Sequence, residues 1–432
     1  MRLVSVLASL AAGLALAGCS SAPTAGPVPV QGNAIRGRVM GGQQPVASAT
    51  VQLWQTGASG YGSASTQLIT GSNSVSTDAQ GIFTITGTFT CPAASSTPVY
   101  LTVTEGYPLP SSSNPNLALM AALGPCDGLV NIPFVNVDEV TTVASVWALA
   151  PFMKGMDRIG TSPTNALGLL NAFATVNKLV DIATGMAGGP ALPAGATIPT
   201  DEINALADIL ATCINSSGGT DNNGSSCGTL FHNTKVGTTA PTDTITAAMN
   251  IAQNPSANVA ALFAEIPSIG AIFPTNLSQS PAAWTLVVSY IVSGIKAPRG
   301  IANDASGNVW IANSGDDSVT LLNSTGTMQF HTVGAAGSVP YAIAVDANGG
   351  AWLANSGNAT LVPVTGTGSI GAAVSGNGLN APKGIAIDAA GNVWAANSST
   401  GGGVSVFTSS GGVIGSYSGG VSAPSGIAVN PQ

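Results

Sequence analysis

Ala297-Pro298-Arg299-Gly300-Ile301-Ala302-Asn303-Asp304, followed by Gly307-Asn308-Val309-Trp310-Ile311-Ala312-Asn313-Ser314, is the stretch that decides the fold. The pattern returns at Pro340, with Asp346, Trp352 and Asn355, and again at Pro382, with Gly384, Asp388, Trp394 and Asn397. It opens once more at Pro424-Ser425-Gly426-Ile427. The four prolines stand 42 residues apart. A fixed period near 40, four short apolar segments per unit and Gly-Asn turns between them indicate propeller blades. In this reading each Pro opens a strand where no backbone donor is needed. Gly-Ile-Ala-x-Asp is the innermost strand. Asp-x-x-Gly-Asn is the turn to the second strand, with Gly or Asn at positive φ. Trp310, Trp352 and Trp394 are expected between neighbouring blades. The amides of Asn313, Asn355 and Asn397 are expected to hold the loop that follows.

These residues resemble NHL-repeat β-propellers and the related virginiamycin B lyase-like group over about residues 284–432. The resemblance implies a radial stack of four-stranded blades. Residues 286–292 lie 42 positions before 328–334 and so match an outer blade strand. The chain would then supply one outer strand, about three full blades and one inner strand. Closed propellers have about four to eight blades. Either the chain is a truncated product, or a second copy or another chain completes the ring by association. The lyase resemblance implies a His general base with acidic metal ligands, and gluconolactonase-like propellers hold a divalent metal through a Glu with Asn and Asp. Here the repeats carry a single histidine, His331, and no glutamate; Glu105, Glu139, Glu202 and Glu265 all precede them. His331 falls on an outer strand, far from a central opening. No catalytic residue, metal site or cofactor is therefore assigned.

Outward to the N-terminus, Met1-Arg2 precedes an apolar run from Leu3 to Leu16 and then Ala17-Gly18-Cys19. A basic start, an apolar core and small residues mark an export signal. Leu16-Ala17-Gly18-Cys19 resembles the lipobox of bacterial lipoproteins. The resemblance implies cleavage before Cys19 and its lipidation, since several acyl chains on one residue anchor stably where one does not. By the same analogy, Ser20 after the cysteine favours the outer over the inner membrane, hence an envelope location. Residues 1–19 are the signal and lipobox, and 20–33 a flexible Gly/Pro/Ser tether.

Residues 34–108 alternate apolar and polar between turn signals, as strands do. Ile35-Arg36-Gly37-Arg38-Val39, Pro45 through Leu53, and Thr77-Asp78-Ala79-Gln80-Gly81-Ile82-Phe83 resemble a carboxypeptidase regulatory-like domain. The resemblance implies a small all-β sandwich that serves as an accessory module and carries no peptidase activity.

Residues 109–280 change character to a mainly α-helical domain. Five helices are predicted: one opened by Asp138-Glu139-Val140, then 163–182, a third begun by Pro199-Thr200-Asp201-Glu202, then 242–253 and 256–265. The hydroxyl of Thr200 is read as a cap ahead of acids at the positive end of the third helix. The five are expected to bury their apolar stripes on one another.

Cys91, Cys126, Cys213 and Cys227 remain after processing, an even number suited to disulfides in an exported chain. Cys213 and Cys227 flank a polar loop, 215–226, which favours that pair and leaves Cys91 with Cys126. A zinc site needs close Cys or His ligands, and the chain has no CxxC and two histidines. Asp221-Asn222-Asn223-Gly224 hints at a calcium loop, yet lacks its spacing and closing Glu.

Composition narrows the function classes. Ten Lys and Arg against 18 Asp and Glu in 432 residues give a net charge of −8. Ten cations spread over the chain make no nucleic-acid surface. A hydrophobic content of 45% argues against a disordered chain. GxSxG, HExxH and P-loop motifs are absent. The expected function is a noncatalytic surface lipoprotein, membrane-held through its lipid, that binds or scaffolds a protein or carbohydrate ligand through its blades. The alternative is a degenerate or truncated propeller enzyme of the streptogramin-lyase or lactonase type.

Overall fold

A computed structural model describes residues 28–30, 34–69, 75–86, 89–91, 96–110, 112–266 and 271–429. The signal, the lipidation candidate Cys19 and most of the tether lie outside the described residues.

Two sheets build the N-terminal part. In one, Ile35–Gly41 pairs antiparallel with Ile82–Ile85 and Gln44–Pro45, and parallel with Val135–Val137. In the other the order is Ala118–Pro125, Pro98–Thr104, Thr50–Gln55, Thr66–Gln67. Their inward side chains, among them Val39, Phe83, Leu53 and Leu101, share one core. The strand pairing thus crosses the expected 108/109 boundary. Residues 117–123 explain it: Leu-Ala-Leu-Met-Ala-Ala-Leu has no polar alternation, and such a strand is stable only when both faces are covered. All seven are buried.

The second cover is helical. Among the described residues are α1 (Glu139–Leu149), α2 (Ala166–Leu179), α3 (Thr200–Ile214), α4 (Ser226–Asn233), α5 (Thr244–Gln253) and α6 (Val259–Phe263). Helices α1, α2 and α5 pack on Ala118–Pro125. The helices are therefore not a self-contained bundle: one apolar core runs from Ile35 through α1 and α3 to Trp284. Helix α1 starts with a capping box in which Thr141 N donates to Asp138 Oδ1 at 2.8 Å and Thr141 Oγ1 accepts from Asp138 N at 2.9 Å. Helix α3 starts differently from its expected form. Thr200 is already helical and no side chain caps it. Helix α4, which was not predicted, begins where the polar 215–226 loop ends; Ser225 caps it through Gly228 N at 2.9 Å.

Two disulfides join these parts, Cys91–Cys126 and Cys213–Cys227. The first ties a short strand to the turn after Ala118–Pro125. The second ties the end of α3 to the start of α4.

Residues 286–292 do not form an outer blade strand. Trp284 is buried in the sandwich–helix core, where its carbonyl accepts from Trp147 Nε1 at 2.9 Å. Ser289–Tyr290 then pairs with Ala196–Thr197.

The repeats form antiparallel meanders fanned side by side. Blade 1 is Pro298–Asn303, Val309–Asn313, Ser318–Leu322 and Met328–Val333. Blade 2 is Pro340–Val345, Ala351–Asn355 and Thr360–Val364, with Ile370 and Val374 bridging singly where a fourth strand would lie. Blade 3 is Pro382–Ile387, Val393–Asn397, Val404–Phe407 and Val413–Tyr417. The inner strands of successive blades are neighbours. The fold is β-rich and propeller-like in this region. Residues 424–429 carry no strand pairing, yet Gly426 lies against Gly384 of blade 3.

Candidate functional site

Each recurring residue of the blades has a definite place. Asp304 Oδ1 accepts from Ser306 N and Asn308 N, both at 2.9 Å. Asp346 and Asp388 repeat this clasp on Asn348 and Gly350, and on Ala390 and Asn392. The carboxylate thus closes the turn between first and second strands. Burial acts to raise Asp304, but hydrogen bonds from Asn308 and Ser306 outweigh it and hold the group below the usual carboxylate range. Asp388 is held low chiefly by Trp394 Nε1 at 2.9 Å and the Asn392 amide at 3.0 Å.

At the opposite strand ends a second clasp recurs. Ala297, Val339, Ala381 and Ala423, each just before a repeat proline, have φ of 44°, 46°, 46° and 49°. Left-handed backbone is unusual for these residues, and a following proline disfavours helical geometry further. The conformation turns the carbonyls of Ala297, Val339 and Ala381 toward the loop after the second strand. Ser314 N, Ser356 N and Ser398 N donate to the carbonyls of Ala297, Val339 and Ala381, each at 3.1 Å. Neither these strained positions nor the serine clasp was apparent from the sequence, although the recurring Asn-Ser pair marks them.

Pro298, Pro340 and Pro382 face Asn313, Asn355 and Asn397 across the ladder, with a bulge directly after each proline. The Asn313 amide donates to Ser318 Oγ at 3.0 Å and Thr320 Oγ1 at 2.9 Å. Asn355 donates to Thr360, and Asn397 to Ser405. Gly300 and Gly384 mark close approaches between blades. A Cβ on Gly300 would come within 2.8 Å of the Ala342 Cα, and one on Gly384 within 3.0 Å of the Gly426 Cα.

The tryptophans fill the gaps. Trp310 is buried in one cluster with Ile343, Ala351 and Leu353 of blade 2, and Trp352 in another with Ile385, Val393 and Phe407 of blade 3. Trp394, with no blade beyond it among the described residues, is half-buried and stacks on Tyr417. The other flank shows the complementary change. Ile343 and Ile385 are 7% and 9% exposed, while the equivalent Ile301 of blade 1 is 70% exposed.

His331 lies on the outer strand of blade 1. Its Nδ1 is 2.8 Å from Thr320 Oγ1, and its Nε2 is 3.5 Å from Asp316 Oδ2. Asp317 accepts from Val339 N and Gly337 N at 2.7 Å each, and these bonds hold it low. No group of three His, Cys, Asp or Glu suited to a metal occurs among the described residues. His232, near Asp221 at 3.0 Å, lies beside the loop that hints at calcium.

Sequence reasoning missed a second constellation, inside the sandwich–helix body. Asp138, Glu139 and Asp208 are all buried. Both oxygens of Glu139 accept from Gly42 N, at 2.8 and 3.0 Å. Burial pushes Glu139 up to about 8, and the adjacent Asp138 pushes in the same direction. Burial raises Asp138 to about 7 against its bonds from Thr141. Burial also raises Asp208, whose Oδ1 accepts from Ile272 N at 2.8 Å and Phe273 N at 3.1 Å. The signal was present as acids within apolar helix faces, but Asp138 and Glu139 read equally as helix-start chemistry.

No protein-family model matches this chain, and no curated protein matches it. Solved structures similar to it include a streptogramin B lyase, at 21% identity over 30% of this chain and 43% of that one, TM-score 0.27. They include virginiamycin B lyase from Staphylococcus aureus, at 20% identity over 27% and 40%, TM-score 0.25. A putative 6-phosphogluconolactonase from Bacteroides uniformis is similar at 12% identity over 28% and 42%, TM-score 0.25. In each case the similarity spans less than half of the other protein's length.

Proposed function

We infer that this chain is a lipid-anchored envelope protein whose propeller-like blades bind a protein or carbohydrate and catalyse no reaction. The observation that carries the reading is how the repeated polar side chains are used. Asp304, Asp346 and Asp388 close turns, while Asn313, Asn355 and Asn397 tie strand ends. The repeated carboxylates are thus committed to backbone donors, and His331 is engaged on an outer strand. Such a surface can present shape, amides and hydroxyls to a partner, as binding modules do. The lipobox-like Leu16-Ala17-Gly18-Cys19 supports the anchor, and the two disulfides fit an oxidising compartment. No helix among the described residues is long and apolar enough to cross a membrane.

Two measurements test the reading. Radiolabelled palmitate supplied to expressing cells should enter the protein and be lost in Cys19→Ser; label persisting in that variant overturns the anchor. Purified protein should open neither a cyclic depsipeptide nor a sugar lactone. Turnover of either, abolished by His331→Ala, would replace binding by catalysis.

A further inference from the structure

A cleft of about 590 Å³ lies between the Gly41–Gln44 turn and α3, lined by Gln43, Asp208, Thr212, Asn215, Ser226 and Ile272 among others. Its volume falls in the ~300–1,000 Å³ range of small-molecule sites. Two of its side chains are fixed at one end and unpaired at the other. Asp208 Oδ1 accepts from Ile272 N and Phe273 N, while the buried Oδ2 has no hydrogen-bond partner. Asn215 Nδ2 donates to Ala211 O at 3.1 Å, which leaves the buried Oδ1 as a free acceptor. The turn holds that amide in place: a Cβ on Gly41 would lie 3.0 Å from its Oδ1, and one on Gly42 3.0 Å from its Nδ2. Asp208 is 0% exposed, and a buried carboxylate oxygen left unpaired is disfavoured unless something meets it.

Both free atoms are acceptors, so a fitting ligand must donate. Charge narrows the choice. The described lining residues include no Lys, Arg or His to offset Asp208. A neutral polyol would satisfy the acceptors and leave the negative charge unmet. An ammonium group supplies up to three donors and the opposite charge.

We propose that this cleft binds a small ligand bearing a protonated primary amine, with Asp208 as counter-ion and the Asn215 carbonyl oxygen as second acceptor. The site is independent of the blades and of their binding role. Calorimetric titration of the full chain with 1,4-diaminobutane tests it, with glucose as neutral comparison. The expected result is saturable one-site binding of the diamine, weakened at least ~10-fold in Asp208→Asn, which removes a charge-assisted bond but keeps the shape. Should Asp208→Asn fail to fold, Thr212→Phe narrows the cleft without touching either acceptor and should abolish binding. The proposal is overturned if the diamine does not saturate, if the folded variants bind it as the parent does, or if glucose binds equally well.

Discussion

Ala297 and Ala381 hold left-handed backbone at φ 44° and 46°. For an alanine this conformation costs about 1–2 kcal/mol relative to right-handed backbone. Glycine removes the strain and loses some unfolded-state entropy in exchange. Ala297→Gly and Ala381→Gly should each stabilise the blades by about 0.5 kcal/mol, read as a higher urea midpoint at unchanged slope. Glu139 carries a second residue-scale prediction. Its folded pKa, pushed up to about 8, stands above that of an unfolded glutamate. The stability it contributes is therefore complete below pH about 4 and is lost as pH rises toward 8, as the buried carboxyl ionises. Glu139→Gln removes that ionisation and keeps an acceptor for Gly42 N. The variant should unfold at higher temperature than the parent at pH 8, by on the order of 1 kcal/mol or more, and show little gain at pH 4.5. Equal gains at both pH values would refute the buried-charge account.

Within the blades one tryptophan does different work at each repeat. Trp310 is buried between two blades, so Trp310→Ala should cost about 3–5 kcal/mol. Half-buried Trp394 stacks, among the described residues, on Tyr417 of its own blade, and Trp394→Ala should cost clearly less, about 1–2 kcal/mol. Denaturant titration of the two variants gives the comparison directly. Period, inner strands, Asp turns and tryptophan positions were legible because a repeated supersecondary unit writes the same side chains at the same spacing. Other elements were not. Helix α4 opens with Ser226-Cys227-Gly228-Thr229, whose weak helix propensity is overridden by the Ser225 cap and the packing of Leu230 and Phe231. Residues 286–292 match an outer strand by spacing, yet buried Trp284 draws the preceding chain into the helical core, and Ser289–Tyr290 pairs there instead. The cleft was illegible for a similar reason: the Gly41–Gln44 turn is far in sequence from Asp208 and Asn215 of the α3 region, and they meet only when the sandwich turn docks on α3.

For the whole molecule, the sandwich and helices share one core, while two small clusters hold the blades together. Contact between these bodies includes Lys178 of α2, whose Nζ donates to the Tyr290 hydroxyl at 2.8 Å and to Ser324 O at 3.3 Å. Among the described residues the blades present complementary flanks, with Ile301 on one side and Trp394 on the other. Because the repeats are alike, the flank around Ile301 has the chemistry that Ile343 and Ile385 use against Trp310 and Trp352. A second copy offering its Trp394 flank would reproduce that packing head to tail, a heterologous contact that closes only if the rotation permits. If copies do pack in this way, Ile301→Glu weakens that association and leaves folding nearly intact. It should change stability by less than about 0.5 kcal/mol, as substitutions at exposed sites do, and lower the concentration-dependent mass seen by light scattering. Ile343→Glu places the same charge at a position only 7% exposed and should destabilise the blades by several-fold more. If Ile301→Glu proves as disruptive to folding as Ile343→Glu, that flank is already covered in the native protein and offers nothing to a partner.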